Sequence, residues 1–373
     1  LILQPLGGGL AQEVPRTESR SPLLSGEDRW RIGPEPVFEV GGSTESNGPD
    51  FYRVRGIVRL SNGTFVVANS GNNQLVYLLP SGEVAAVAGR VGEGPGEFQA
   101  LGSIGLLGAD SVFTVDYVHR NVSIFDQTGR FCRSVRFDPL VPHGYFPQGA
   151  LSDGRFLFSS DAGFVRGPRA DSTEALLVDM DLAAVESIGR FPKSFLGNPP
   201  GTLALGPPSI FAVGPQNFYW GYGDRFEFQK FDHDGHLAGV LSKEWEPFRI
   251  SARAWRKSGE ARLESLKRSR VSDMETLLRR ARQEHERIDH AETLPAFSRA
   301  FVDSEGNLWV KEYPLIGVRE ADWQVFDPSG RWLTQVTPPD GLQIFASGND
   351  WVVGITLDEM DAEVVQMFRL SRR

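Results

Sequence analysis

Cysteine is nearly absent from this chain: Cys132 is the single one among 373 residues, so no internal disulfide can form. Cys132 falls on a predicted outer strand, where we expect it to be a small apolar filler. Long apolar runs are also missing, since no stretch after the N-terminus approaches the roughly 18 residues of a membrane helix. We therefore predict that no segment spans a membrane.

Positive charge is in short supply, with 39 Lys and Arg against 48 Asp and Glu and a formal net charge of −9. An acidic surface of this kind repels phosphate backbones and anionic membranes. We therefore expect no nucleic acid among the partners of this protein.

The chain does contain a repeated pattern, in which two short β runs flank a polar loop. The pattern occurs six times. The first runs lie at 65–69, 112–116, 155–160, 217–222, 307–313 and 350–356. The second runs lie at 74–79, 121–126, 174–179, 226–232, 323–327 and 364–370. A tight turn and a third run follow most of them, with Gly129, Gly235 and Gly330 at the turn position where positive φ is favoured.

This spacing predicts an all-β fold, a six-bladed β-propeller. A single blade cannot bury both faces of its sheet, but blades packed radially cover one another. The sixth unit ends directly after its third strand, so its outer strand is missing. We predict that Pro36–Val40 supplies that strand and closes the ring, which also removes a free sheet edge.

Residues 66–98 resemble the NHL repeat, in which a strand ending in Val-x-Asp precedes Gly-Asn-x-Arg, a strand, a turn and a Gly-rich segment. Here Asn69 replaces the usual Asp and Gln74 the usual Arg, whereas the next unit has Asp116 and Arg120. The resemblance implies a secreted bacterial six-bladed propeller. It implies the fold more than a function, because this fold hosts lyases, lactonases, sensors and scaffolds.

The domain boundaries follow from the repeat. We predict that 1–30 is a signal-peptide remnant and linker, with small residues Gly9 and Ala11 preceding a cleavage site at Gln12. The protein is accordingly expected to be exported, and we expect a monomer. Residues 31–373 form the propeller, and the period within it changes from two to about 3.6 at 251–291. We predict an α-helical hairpin there, inserted between blades 4 and 5.

One face of the propeller carries the longer loops. We label the strands of a blade a to d from the channel outward, so the b–c and d–a loops share a face, which we call the loop-rich face. The opposite face is the short-loop face. Since elaborated loops are where binding sites are found, we place the ligand site on the loop-rich face. The candidate ligand-binding residues are Asn69, Asn73, Asp116, His119, Arg120, Asp161, Asp224, Arg225, Glu312, Tyr313 and Asp358.

Each of these residues also has a simpler interpretation, because Asp and Asn beside strands often bond backbone groups in turns. Two functions therefore stay open. The first is a binding or scaffold protein that recognises a small ligand, glycan or peptide partner, with no cofactor and no metal. The second is a hydrolase or lyase similar to lactonase-like propellers, with calcium at the channel mouth. With six histidines, and with His119 and His143 alone near the loop-rich face, a three-histidine centre has too few candidates.

Overall fold

The structure is a computed structural model that describes residues 14–43, 48–108, 110–160, 172–181, 183–194, 204–267 and 273–372. Two strands precede the blades: β1 (Arg16–Ser19) and β2 (Arg31–Gly41). Blade 1 has β3 (Val54–Arg59), β4 (Phe65–Asn69), β5 (Gln74–Leu78) and β6 (Val84–Ala88). Blade 2 has β7 (Leu101–Leu107), β8 (Ser111–Asp116), β9 (Asn121–Asp126) and β10 (Phe131–Arg136). Blade 3 has β11 (Tyr145–Ala150), β12 (Phe156–Ser160), β13 (Ser172–Asp179) and β14 (Ala184–Pro192).

Blade 4 has β15 (Ser209–Val213), β16 (Asn217–Tyr222), β17 (Glu227–Asp232) and β18 (Leu237–Lys243). The helices α1 (Ala252–Lys267) and α2 (Met274–Arg287) follow it. Blade 5 has β19 (Phe297–Val302), β20 (Leu308–Glu312), β21 (Trp323–Phe326) and β22 (Trp332–Val336). Blade 6 has β23 (Gln343–Ser347), β24 (Trp351–Leu357) and β25 (Glu363–Ser371). The chain is thus a six-bladed β-propeller, as predicted.

Ring closure also follows the prediction. The outer strand of blade 6 is β2, which pairs antiparallel with β25, and Pro36 lies opposite Phe368. The inner strands β3, β7, β11, β15, β19 and β23 contact one another in turn around the channel. The first and last parts of the propeller therefore share one sheet, and β25 is paired on both sides instead of being left as an open outer edge.

The segment before β2 pairs with the outer edges of two blades. Strand β1 pairs parallel with β18 as a fifth strand on the outer edge of blade 4. Farther on, the Leu23 and Leu24 amides donate to the carbonyls of Trp332 and Leu333 on blade 5, at 2.9 and 2.8 Å. Residues 14–30, part of the predicted linker, therefore run across the outer edges of blades 4 and 5 before β2 joins blade 6. A polar segment without alternation gives no sequence signal for such edge pairing.

The core is divided among the six gaps between neighbouring blades. Each gap holds one cluster of buried apolar side chains, and aromatic rings join the two sheets. Phe65 of blade 1, for example, contacts Trp351 of blade 6 edge-on, with ring centroids 5.4 Å apart. Such contacts explain the high Phe and Trp content. Cys132 lies on outer strand β10 as predicted, but it is exposed, so it does not act as the small apolar filler that was expected.

The helical insertion lies between blades 4 and 5, as predicted. Its two helices touch through the Arg262–Glu284 ion pair at 3.3 Å and through Trp255 stacked on His285. An apolar cluster that includes Ile250, Leu294 and Leu315 seats the insertion against the b–c loop of blade 5. The hairpin therefore lies over one sector of the loop-rich face. Neither helix in the described ranges is long and apolar enough to cross a membrane.

Candidate functional site

Two of the predicted residues end strand b of their blades and hold the preceding crossover loop. The buried Asn69 side chain accepts from the Tyr52 amide and donates to the Asp50 carbonyl, both at 2.9 Å. The buried Asp116 carboxylate accepts from the Gln99 amide at 2.7 Å. Asn69 and Asp116 thus hold the preceding loop in the same way in blades 1 and 2, and both side chains form hydrogen bonds with backbone groups.

Asn73 and Arg120 occupy a second repeated position, at the end of the b–c loop. Both have left-handed backbones, with φ of 53° and 51°. The Asn73 side chain accepts from the Leu101 amide at 2.8 Å. The buried Arg120 guanidinium pairs with Asp138 and lies 4.9 Å from the centre of the Phe137 ring. Both side chains therefore brace the loops that lead into the next blade.

His119 lies next to this position and is about one quarter exposed. Its Nδ1 atom is 3.2 Å from the Asp116 carboxylate, whose other oxygen accepts from the His119 amide at 2.8 Å. The imidazole is therefore held against the loop by Asp116, whose carboxylate oxygens already accept hydrogen bonds from backbone amides. Histidine and carboxylate form a local pair here, and the described surroundings bring no third metal-ligating side chain to them.

The remaining predicted residues on blades 4 and 6 are spread out. Asp224 and Arg225 are exposed neighbours with a 3.4 Å ion pair. The Asp358 carboxylate accepts from the Ser43 hydroxyl at 2.6 Å and from the Ser43 amide at 2.7 Å. These bonds hold the pKa of Asp358 well below its usual range. Asp161 lies outside the described residues.

Glu312 and Tyr313 end strand b of blade 5. The Glu312 carboxylate lies between two cations, 3.2 Å from the Lys243 ammonium and 2.5 Å from the Arg319 guanidinium. Tyr313 packs in the cluster that seats the helical insertion, and burial raises the pKa of its phenol. The structure thus ties Glu312 into an ion network, while Tyr313 supports the insertion.

The predicted residues that the structure describes lie on five different blades. Asn69, Asn73, Asp116 and Arg120 recur at two corresponding places in blades 1 and 2, where they hold loops. For the calcium alternative, the described residues offer no group of three His, Cys, Asp or Glu side chains that could hold an ion. The side-chain oxygens of Asn69 and Asp116 accept hydrogen bonds from backbone amides. The side chains that the structure describes there do not fit a calcium site.

A different cluster lies beside Glu312 and was not predicted. Arg299, on inner strand β19, is directly opposite Lys311 on β20, and Lys311 is directly opposite Trp323 on β21. The three residues form one rung across blade 5, at the end near the loop-rich face. Side chains opposite one another in adjacent strands point to the same face of the sheet, with Cβ atoms about 5 Å apart. We call these three residues the blade 5 rung.

The blade 5 rung concentrates donors that lack acceptors. Within the described part of the chain, neither cation of the rung is in an ion pair, and the buried Trp323 Nε1 atom has no hydrogen-bond acceptor. Burial lowers the pKa of Arg299 to about 10. The pKa of Lys311 is also lowered, first by burial and then by the charge of Arg299, with a smaller opposing effect of Glu320. The rung is therefore a local excess of positive charge in a chain of net charge −9.

An aromatic ring completes this cluster. The Arg299 guanidinium lies 4.6 Å from the centre of the Phe345 ring on inner strand β23 of blade 6. Cation–π attraction holds a guanidinium at this distance, and the N–H groups of a guanidinium can at the same time donate to a planar anion. The sequence carried one signal of this arrangement: FSRAFV and LWVKE each place a cation in a run that is mostly apolar. A cation at such a position is unusual enough to suggest a function.

No protein-family model and no curated protein matches the sequence. Several solved structures, however, are similar to this chain. A candidate exported protein from Bacteroides fragilis aligns with 96% of this chain and 99% of its own length, at 16% identity and a TM-score of 0.55. A member of the DUF4221 family from Bacteroides vulgatus aligns with 93% of this chain and all of its own, at 10% identity and a TM-score of 0.50.

A gluconolactonase from Xanthomonas campestris aligns over 86% of this chain and 87% of its own, at 12% identity and a TM-score of 0.45. For the two Bacteroides proteins, similarity at these identities shows a shared propeller fold and nothing finer, and the gluconolactonase carries no argument at its TM-score. The six-bladed architecture expected from the NHL resemblance is therefore present, whereas membership of the NHL family is not confirmed.

Proposed function

We propose that this protein is an exported binding propeller that holds an anionic ligand at the blade 5 rung. The observation that carries the proposal is the direct opposition of Arg299 and Lys311, neither of which is in an ion pair among the described residues, while Glu320 offsets only part of the charge. Like charges directly opposite in a sheet repel each other, and burial adds to the cost. An anion between them would offset both effects.

The chemistry of the rung favours a planar anionic group such as a carboxylate. A guanidinium presents two parallel N–H donors that match two carboxylate oxygens, and the Lys311 ammonium adds a compact charge beside it. The Phe345 ring beside Arg299 supplies an apolar surface for the rest of a small molecule. These features suit an acidic sugar or another small organic acid better than a neutral ligand.

The position of the rung also supports binding on the loop-rich face. Glu312 immediately follows Lys311, and its own charge is neutralised by Lys243 and Arg319, so it does not cancel the charge of the rung. The adjacent b–c loop of blade 5 carries the helical insertion. A ligand at the rung would therefore lie beside the most elaborated sector of this face.

Calorimetric titration tests the proposal with a matched pair of ligands, glucuronate and glucose, and with sulfate as an inorganic anion. We expect glucuronate to bind and glucose not to bind, because only glucuronate has a carboxylate that can pair with Arg299 and Lys311. Lys311→Met should weaken binding at least tenfold, whereas Lys257→Met, which removes one exposed lysine from α1, should leave it unchanged. Equal binding of glucose, or an unchanged affinity in Lys311→Met, would contradict the proposal. If sulfate bound and glucuronate did not, the rung would still be an anion site, but an acidic sugar would be excluded as its ligand.

Export rests on the N-terminal sequence pattern and is tested separately. The protein, expressed from its own gene in a bacterium, should appear in the periplasm or medium. N-terminal sequencing of that product should begin at Gln12. Recovery of an unprocessed chain in the cytoplasm would contradict export without bearing on the ligand site.

A further inference from the structure

A second feature, on the opposite face, has no role in the proposed ligand site. A cavity of about 750 Å³ opens between blades 6 and 1 at the short-loop face. It lies where the closing strand β2 meets β25, so we call it the seam cavity. Its lining includes Arg31, Arg59, Asp350, Trp351, Met367 and Arg369. The volume is within the range of small-molecule sites, roughly 300 to 1,000 Å³.

The seam cavity exists because β2 leaves its partner strand. Ile32 pairs with Leu370 and Pro36 with Phe368, so three residues of β2 face one of β25 between them. Pro34 and Pro36 have no N–H group to donate to the ladder, which explains why pairing breaks here. The sequence of the closing strand thus builds the opening into the ring.

One guanidinium of the seam cavity lies over two aromatic rings. Arg59 of blade 1 lies 5.1 Å from the centre of the Phe65 ring and 5.0 Å from that of Trp351. Its Nε atom donates to the Gly63 carbonyl at 3.3 Å. Burial lowers the pKa of Arg59, and Asp350 partly opposes this. The nearly buried Trp351 and Met367 side chains form the apolar wall.

The rim adds positive charge. Arg31 and Arg369 are exposed at the two sides of the bulge, one on each strand. Three guanidinium groups therefore line the cavity against the single carboxylate of Asp350. An apolar wall with an excess of guanidinium groups suits a ligand with one apolar part and one anionic head.

We propose that the seam cavity is a second binding site, for an amphipathic organic anion such as a medium-chain carboxylate. The apolar part lies against Trp351 and Met367, and the anionic head lies among Arg31, Arg59 and Arg369. This site is separate from the blade 5 rung, because it lies on the other face and between other blades. Its existence does not depend on the function proposed above.

Titration of the full chain with decanoate, and with decanol as the uncharged match, tests the second site. We expect saturable binding of one decanoate and at least tenfold weaker binding of decanol, because only decanoate carries the head group. Arg369→Ala should weaken decanoate binding about threefold or more. Arg282→Ala, which removes one exposed arginine from α2, is the control with the same change in net charge and should not affect it.

A second variant fills the cavity itself. Gly33 lines it, and a Cβ atom there would meet its nearest neighbour, the Arg369 carbonyl, at 3.6 Å, an ordinary contact. Gly33→Phe should therefore fold normally, as checked by its melting temperature, and lose decanoate binding at least tenfold. Equal binding of decanol and decanoate, or full decanoate affinity in both Arg369→Ala and Gly33→Phe, would overturn the proposal. Glucuronate binding should be unchanged in Gly33→Phe, which separates the two sites.

Discussion

Replacing Lys311 by Met should stabilise the ligand-free protein, although most substitutions of half-buried residues destabilise. The reason is the blade 5 rung, in which Lys311 stands directly opposite Arg299. Met keeps the length and apolar stem of Lys and removes the charge. The substitution therefore relieves repulsion and burial of charge while keeping most of the packing.

The size of the effect follows from the two costs that the charge imposes. Like charges directly opposite in a sheet cost up to about 1 kcal/mol, and incomplete hydration of the ammonium adds to this. The attraction to Glu320 is the weakest of the three influences on the pKa of Lys311, so its loss subtracts little. We expect a gain of about 1 to 2 kcal/mol in the free energy of unfolding.

Urea unfolding of dialysed protein at low salt measures this gain, with the slope of the transition checked for equality between variants. Lys257→Met, on the exposed surface of α1, should change stability by less than about 0.5 kcal/mol. Added glucuronate should stabilise the parent protein and not the Lys311→Met variant. If Lys311→Met lowered the stability of the ligand-free protein by about 1 kcal/mol or more, Lys311 would be a satisfied structural cation and the blade 5 rung would have no unmet charge to offer an anion.

Three further predictions concern the frame around the sites. Asp116→Ala should lower the free energy of unfolding by about 2 to 4 kcal/mol, because several loop amides lose their acceptor, whereas Asp116→Asn should cost less than half of that by urea unfolding. Because bonds from Ser43 lower the pKa of Asp358, the folded state binds fewer protons there than the unfolded state, so its stabilising effect is present above about pH 4 and lost as the pH falls. Asp358→Asn should therefore show a shallower loss of stability than the parent between about pH 5 and pH 2.5, and an identical slope would contradict this. Phe38→Ala should lower the free energy of unfolding by about 3 to 4 kcal/mol, measured by thermal or urea unfolding. Phe38 lies on the closing strand, is buried, and has its ring centroid 5.6 Å from that of Phe65. A loss under about 1 kcal/mol would mean that ring closure contributes little to stability.

Much of the fold could be predicted from the sequence because a propeller repeats. Each blade must bury both sheet faces, so its inner strands are apolar and its turns recur at fixed places, as at Gly129, Gly235 and Gly330. Closure could be predicted for the same reason, since the sixth unit lacked a strand that Pro36–Val40 could supply. The edge pairing of Arg16–Ser19 could not, because a short polar strand on an outer edge leaves no periodic signal.

The candidate site was harder, because a loop residue looks the same whether it binds a ligand or a backbone amide. Asn69, Asn73 and Asp116 were predicted from their residue type and loop position, and each of them bonds a backbone amide of the crossover leading into an inner strand. Conversely, Arg299 and Lys311 lie within strands, where the sequence gives no indication of which residues face one another. Their opposition depends on strand register, including a shift between Phe297 and Arg299.

The sequence by itself determined the number of blades, the closing strand and the place of the helical insertion, since these follow from local periodicity and turn chemistry. Only the tertiary structure decided which charges lack partners. Whether Arg299 or Lys311 meets a carboxylate depends on distances between residues far apart in the chain, and these distances are set when strands take their register and blades pack together. The blade 5 rung and the seam cavity both arise at that level, one from the register of β19 with β20 and the other from the bulge in β2.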